Sequence, residues 1–145
     1  MLLAFWLLLF SAFSQQPPAP QPAATLDFEF FKARVQPIFL YKREGHARCY
    51  VCHRGSGNGT SYLQILAPGT TSWTDEQARK NFDSVKRFVV PGKPMLSALL
   101  RHPLKQEAGG DEFHGGGKHW TSQSDPEWQT LAAWVNGATL TSAER

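Results

Sequence analysis

Cysteine is nearly absent from this chain of 145 residues: there are two, Cys49 and Cys52. That leaves no material for a disulfide-rich scaffold. Methionine is equally scarce, with Met1 and Met95 alone. No dense run of Lys or Arg occurs, and 15 basic against 12 acidic residues give a net charge of +3. So mild and scattered an excess does not make the clustered basic face that nucleic-acid binding requires. No stretch alternates apolar and polar residues over the length of a strand, and no segment repeats, which argues against sheet and solenoid architectures. The one long apolar run, Leu2 to Phe13, is too short for an easy bilayer span.

What is present describes one folded domain. Hydrophobic residues make up 41% and aromatics 12% of the chain, enough for a core. The length suits one domain and hardly two. Residues 1–14 read as a signal peptide, with Ala12, Phe13 and Ser14 near the usual cleavage positions. The leading segment carries no Lys or Arg, so a short uncleaved anchor is the other reading. No cysteine follows it, so a lipid anchor is not indicated. Residues 15–25 are rich in Pro, Ala and Gln and read as a stiff linker. The expected domain covers 26–145, in an exported, periplasmic protein.

Within that domain the periodicity is helical. Phe28, Phe31, Val35 and Ile38 share one face, with Thr25 or Asp27 as cap, and Pro37 should kink or end the helix. Thr74 and Gln77 form a capping box before Ala78, Phe82, Val85 and Val89. Pro94 should open a short helix over MLSALLR. Ser124 and Glu127 offer a second capping box before Trp128, Leu131, Trp134 and Val135, and Gly137 should stop that helix. The class is all-α with long loops. Loops of more than about 15 residues are uncommon in compact domains unless they serve a function. These loops are also poor in apolar side chains, so something else is expected to fill the core.

Residues 49–53 read CYVCH. Covalent haem attachment needs two thiols about one helical turn apart and an imidazole directly after them, and C-x-x-C-H supplies both. In a shuffled chain with these numbers of Cys and His the arrangement arises about once in two thousand tries. A zinc half-site would need a second ligand pair, a role into which His114 and His119, five apart, could be forced, and it would not need His53 beside Cys52. A redox dithiol expects a βαβ setting, and a plain disulfide is the remaining competitor. The expected cofactor is therefore one covalent haem c with its iron, attached through Cys49 and Cys52 and ligated by His53.

With that motif, Val35-Gln36-Pro37-Ile38-Phe39, Pro91-Gly92-Lys93-Pro94 with Ser97 and Leu99, and Trp134 to Ala138 make the chain resemble small bacterial monohaem c-type cytochromes. The resemblance spans roughly Phe28 to Ala138. It implies a cytochrome c-like fold, about four helices with long loops around the haem. It also implies that the first and last helices cross, with Phe31 or Val35 against Trp134 or Val135. The function it implies is electron transfer without substrate chemistry, between redox partner proteins or in a membrane complex.

The family often uses a Met-Pro segment before the last helix as the sixth ligand. Here no Met lies in that loop, and FHGGGKHW stands in its place. His114 is the expected distal ligand, with Met95 and His119 as alternatives and His102 and His46 behind them. Two imidazoles should give a lower potential than a Met–His pair. An open sixth position would instead imply a sensor or enzyme. Trp73, Phe113 and Trp120 are candidates to pack on the haem, and Arg48 and Lys118 to pair with its propionates.

Overall fold

The computed structural model describes residues 24–55 and 61–144. The expected signal peptide and residues 15–23 of the expected linker lie outside the described residues. Among those described, the chain is helical, with no strand and two isolated bridges, Arg54 with Leu63 and Leu104 with Trp120. No described helix is long and apolar enough to cross a membrane.

The first helical segment, α1, joins three stretches: Phe28–Phe30, a π turn at Phe31–Val35, and Gln36–Leu40. Asp27 is the cap, its carboxylate accepting from the Phe30 amide at 2.6 Å. Pro37 does not stop the helix where it stands. A proline lacks the amide hydrogen and its ring crowds the carbonyl four residues back. The turn just upstream widens instead, and the Gln36 amide reaches back to the Phe31 carbonyl. The helix then continues to Leu40.

A single turn, α2, spans Cys49–His53, and α3 spans Asp75–Val85. The capping box at α3 forms as the sequence suggests, with the Gln77 amide donating to Thr74 Oγ1 at 3.2 Å and the Thr74 amide to Gln77 Oε1 at 3.1 Å. The PGKPMLS stretch makes a turn rather than one helix: a 3₁₀ turn at Pro94–Leu96 precedes the short α4, Ala98–Arg101. Ser97 is the reason for the break. Its buried hydroxyl accepts from the Val90 amide at 2.9 Å and donates to the Lys93 carbonyl at 3.0 Å. Gly92, at φ 74°, aims its amide at the Val135 carbonyl, 2.7 Å away. A side chain rarely tolerates that backbone angle.

The last helix, α5, spans Pro126–Val135. The expected Ser124–Glu127 box is not made. Asp125 is the cap, accepting from the Glu127 amide at 2.9 Å. Glu127 is occupied elsewhere, with Arg43 and Trp120. The expected face holds, since Trp128, Leu131, Trp134 and Val135 are all buried.

Helices α1 and α5 meet at the centre of the core. The Phe31 and Trp134 ring centroids lie 5.1 Å apart, and Trp134 Nε1 donates to the Asp27 carbonyl at 2.9 Å. Phe82 of α3 closes on both rings, at 5.4 Å from Phe31 and 6.0 Å from Trp134. Asn81 is buried but satisfied. It accepts from the Gln64 amide at 2.7 Å and donates to Gln36 Oε1 at 3.1 Å, tying α3 to α1 and to the loop after α2. The histidines border this core: Phe39, Leu99 and Trp120 belong to it and also line their cavity.

Candidate cofactor site

The site is built around α2. Cys52 stands three positions after Cys49, which places both on one face of the turn. Both are free thiols, Cys49 half-buried and Cys52 exposed. Burial pushes the Cys49 thiol above its ordinary value, against the opposing pull of the Arg43 charge and hydrogen bond. A protonated, sheltered thiol is a poor match for a redox-active thiolate.

Cys49 and His53 line one cavity of about 230 Å³. Its remaining walls are mostly apolar, with Phe39, Tyr62, Phe88, Leu99, Pro103 and Trp120. Tyr62 stacks on His53, with centroids 4.6 Å apart and planes 29° apart, and Phe88 backs Tyr62 at 4.9 Å. The His53 carbonyl accepts from the Tyr62 and Leu63 amides at 2.9 and 2.8 Å, fixing the end of α2. Burial holds the Tyr62 hydroxyl far above its usual value, with the Cys49 charge adding to it, so it stays neutral.

His114 lines the same cavity. Its ring is 6.2 Å from that of His53, with planes 17° apart. With metal–nitrogen bonds of about 2.0–2.1 Å and about 1.1 Å from ring nitrogen to centroid, two imidazoles on opposite sides of one metal have centroids about 6.3 Å apart. The observed separation matches that spacing, and it also lies within the range of offset-stacked rings. The His114 Nδ1–H donates to the Gly117 carbonyl at 2.6 Å. A carbonyl only accepts, so Nδ1 carries the proton of this bond. An outer hydrogen bond of this kind orients histidines that ligate metals. The turn needs its glycines: a Cβ on Gly116 would come 3.2 Å from His114 Cε1, and Gly117 sits at φ 79°.

The other candidates are placed as follows. His119 also lines the cavity, 5.9 Å from His114 ring to ring. Burial, then the charges of Arg43, His46, His114 and His53, pull its pKa down to about 4, so it is neutral at pH 7. His46 packs on His119 at 5.0 Å. His102 reaches the cavity but pairs through Nδ1 with Asp111. Met95 faces a separate groove with Trp128, its Cε 2.9 Å from where a Gly109 Cβ would stand. Of the aromatic candidates Trp120 lines the cavity, while Trp73 packs on Tyr50 at 5.8 Å and Phe113 is 80% exposed. Lys118 donates to the backbone carbonyls of His102 and Asp111. Arg48 is exposed, at the N-terminal end of α2.

Sequence reasoning missed Tyr62 and an ion pair behind Cys49. Arg43 Nε donates to Glu127 Oε2 at 2.6 Å, and Trp120 Nε1 donates to the same oxygen at 3.2 Å. The pair links the loop before α2 to α5 across 84 positions, and no local pattern announces it. Its side chains are 10% and 24% exposed. Removing one partner of a fully buried pair costs about 3–5 kcal/mol. Because water reaches Glu127, the Glu127→Ala variant is expected to lose roughly 2–3 kcal/mol by urea unfolding, and Glu127→Gln less.

Among the described residues no three His, Cys, Asp or Glu side chains converge to hold a bare metal ion. Two facing imidazoles with a thiol beside them suit a group that brings its own equatorial donors. No protein-family model, curated protein or solved structure matches the chain.

Proposed function

We propose that the chain is an exported electron carrier with a cytochrome c-like fold and one haem c, held through Cys49 and Cys52 with His53 and His114 as axial ligands. The observation that carries this reading is the His53–His114 pair, parallel to within 17° and 6.2 Å apart, in a mainly apolar cavity that Cys49 also lines. The haem supplies reversible one-electron exchange at iron. The protein's part is to hold and shelter it. Cys49 and Cys52 would hold the haem covalently, His53 and His114 would ligate its iron, and Tyr62, Phe88, Leu99 and Trp120 would keep water out. Saturated ligation leaves no site for substrate, which favours a carrier over an enzyme. Its partners are redox proteins met at the exposed side of the site, free or in a membrane assembly. Nothing in its charge pattern suits nucleic acid.

The test is the full chain produced in a host that exports it and attaches haem. The peptide containing Cys49 to His53 should carry the mass of one haem through denaturation. The ferric protein should be low-spin, lack the near-red band of Met ligation, and bind carbon monoxide only slowly after reduction. An unmodified peptide rules out the haem reading. Prompt carbon monoxide binding rules out the carrier and favours a sensor or enzyme with an open distal site.

A further inference from the structure

The cavity holds more imidazole than an axial pair needs. His119 lines it beside His114, yet its Nδ1 is buried without a hydrogen-bond partner. Leaving a buried polar atom unmade costs free energy, so each such atom in a native structure asks for an explanation. The two histidines are mounted differently. His114 rides on a turn closed by its own hydrogen bonds to Gly117, with Gly115, Gly116 and Gly117 in succession. His119 is pinned: its amide donates to the Pro103 carbonyl at 2.8 Å, and the next residue, Trp120, bridges to Leu104. A glycine run moves easily, whereas a residue bridged on both strands of its loop does not.

From this mounting we infer that the distal side carries two interchangeable imidazoles, His114 in place and His119 in reserve. When the glycine turn swings outward, His114 leaves the cavity and the His119 side chain, lacking a partner at Nδ1, turns on its fixed backbone into the position beside His53. The protein would then exchange one nitrogen ligand for another without opening the iron to solvent. This inference rests on the haem reading above.

The experiment uses the haem-loaded full chain with His114→Ala, His119→Ala and the double variant, each first checked for covalent haem by mass. Covalent haem missing from the unsubstituted protein is failure of the haem reading, not of this inference. Given haem, both single variants should keep the low-spin spectrum, and the double variant alone should lose it and bind carbon monoxide promptly. Added imidazole should restore the low-spin bands of the double variant, which separates a missing ligand from a collapsed pocket. A high-spin spectrum in either single variant overturns the inference. So does a low-spin double variant, because a third residue then supplies the ligand.

Discussion

Cys49→Ser/Cys52→Ser protein is expected to lose its haem to acidified organic solvent, where the unsubstituted protein keeps it. On the haem reading, the serine hydroxyl cannot form the thioether, and His53 and His114 would hold the group by reversible bonds alone. The structure adds a consequence for folding. Cys49, His53 and the facing aromatics line a cavity of about 230 Å³ that no described side chain fills. A group that binds only the folded state stabilises it by mass action, about 2.7 kcal/mol when present at a hundred times its dissociation constant. The double variant should therefore unfold at lower urea concentration after extraction than before. Haem retained through extraction would show that the cysteines are not its anchor.

Trp134→Ala is expected to cause the largest loss of stability in the core where α1 and α5 meet. Trp134 is fully buried, its ring within 6.0 Å of the Phe31 and Phe82 centroids, and its indole N–H bonds the Asp27 carbonyl at 2.9 Å. Truncation of a buried Trp costs about 3–5 kcal/mol. Here it also strips a partner from the cap of α1, so the upper part of that range applies. Domains of this kind are stable by about 5–15 kcal/mol in total. The expected readout is a large fall in the urea midpoint, with Trp134→Phe intermediate because it keeps the ring but not the N–H. A Trp134→Ala midpoint near that of the unsubstituted protein would show that α1 and α5 do not depend on this contact.

The parts of the fold that the sequence made legible are those set by local rules. The apolar faces of α1, α3 and α5 follow from spacing, and Thr74 with Gln77 is a capping box because both halves lie within one turn. Where a local rule met a distant partner, the distant partner won. Ser124 and Glu127 satisfy the same pattern, but Glu127 is drawn to Arg43 and Trp120, and Asp125 caps instead. Pro37 was legible as a disturbance, not as a π turn, since the widening is absorbed upstream at Phe31–Val35. In the site, CYVCH announces itself through spacing alone. The facing of His114 toward His53 rests on a loop whose path is set by Lys118 and the Pro103 carbonyl, which no periodicity reveals. Tyr62 had no sequence signal at all: its place on His53 comes from two amides returning to one carbonyl.

The stem of that distal loop has a consequence for how such a protein can be retuned. The Asp111 amide bonds the Arg101 carbonyl, Lys105 bonds Trp120, and Lys118 reaches His102 and Asp111. Both ends are thus clamped before the turn containing His114 begins. Residues 112–117 form a cassette, replaceable in length and chemistry while α4, α5 and the aromatic core stay where they are. On the haem reading, a lineage could exchange the imidazole of His114 for a thioether by editing that cassette alone, whereas leaving the position empty would also require a change at His119. If the proposed haem is bound, such an edit would shift its redox potential without refolding the domain.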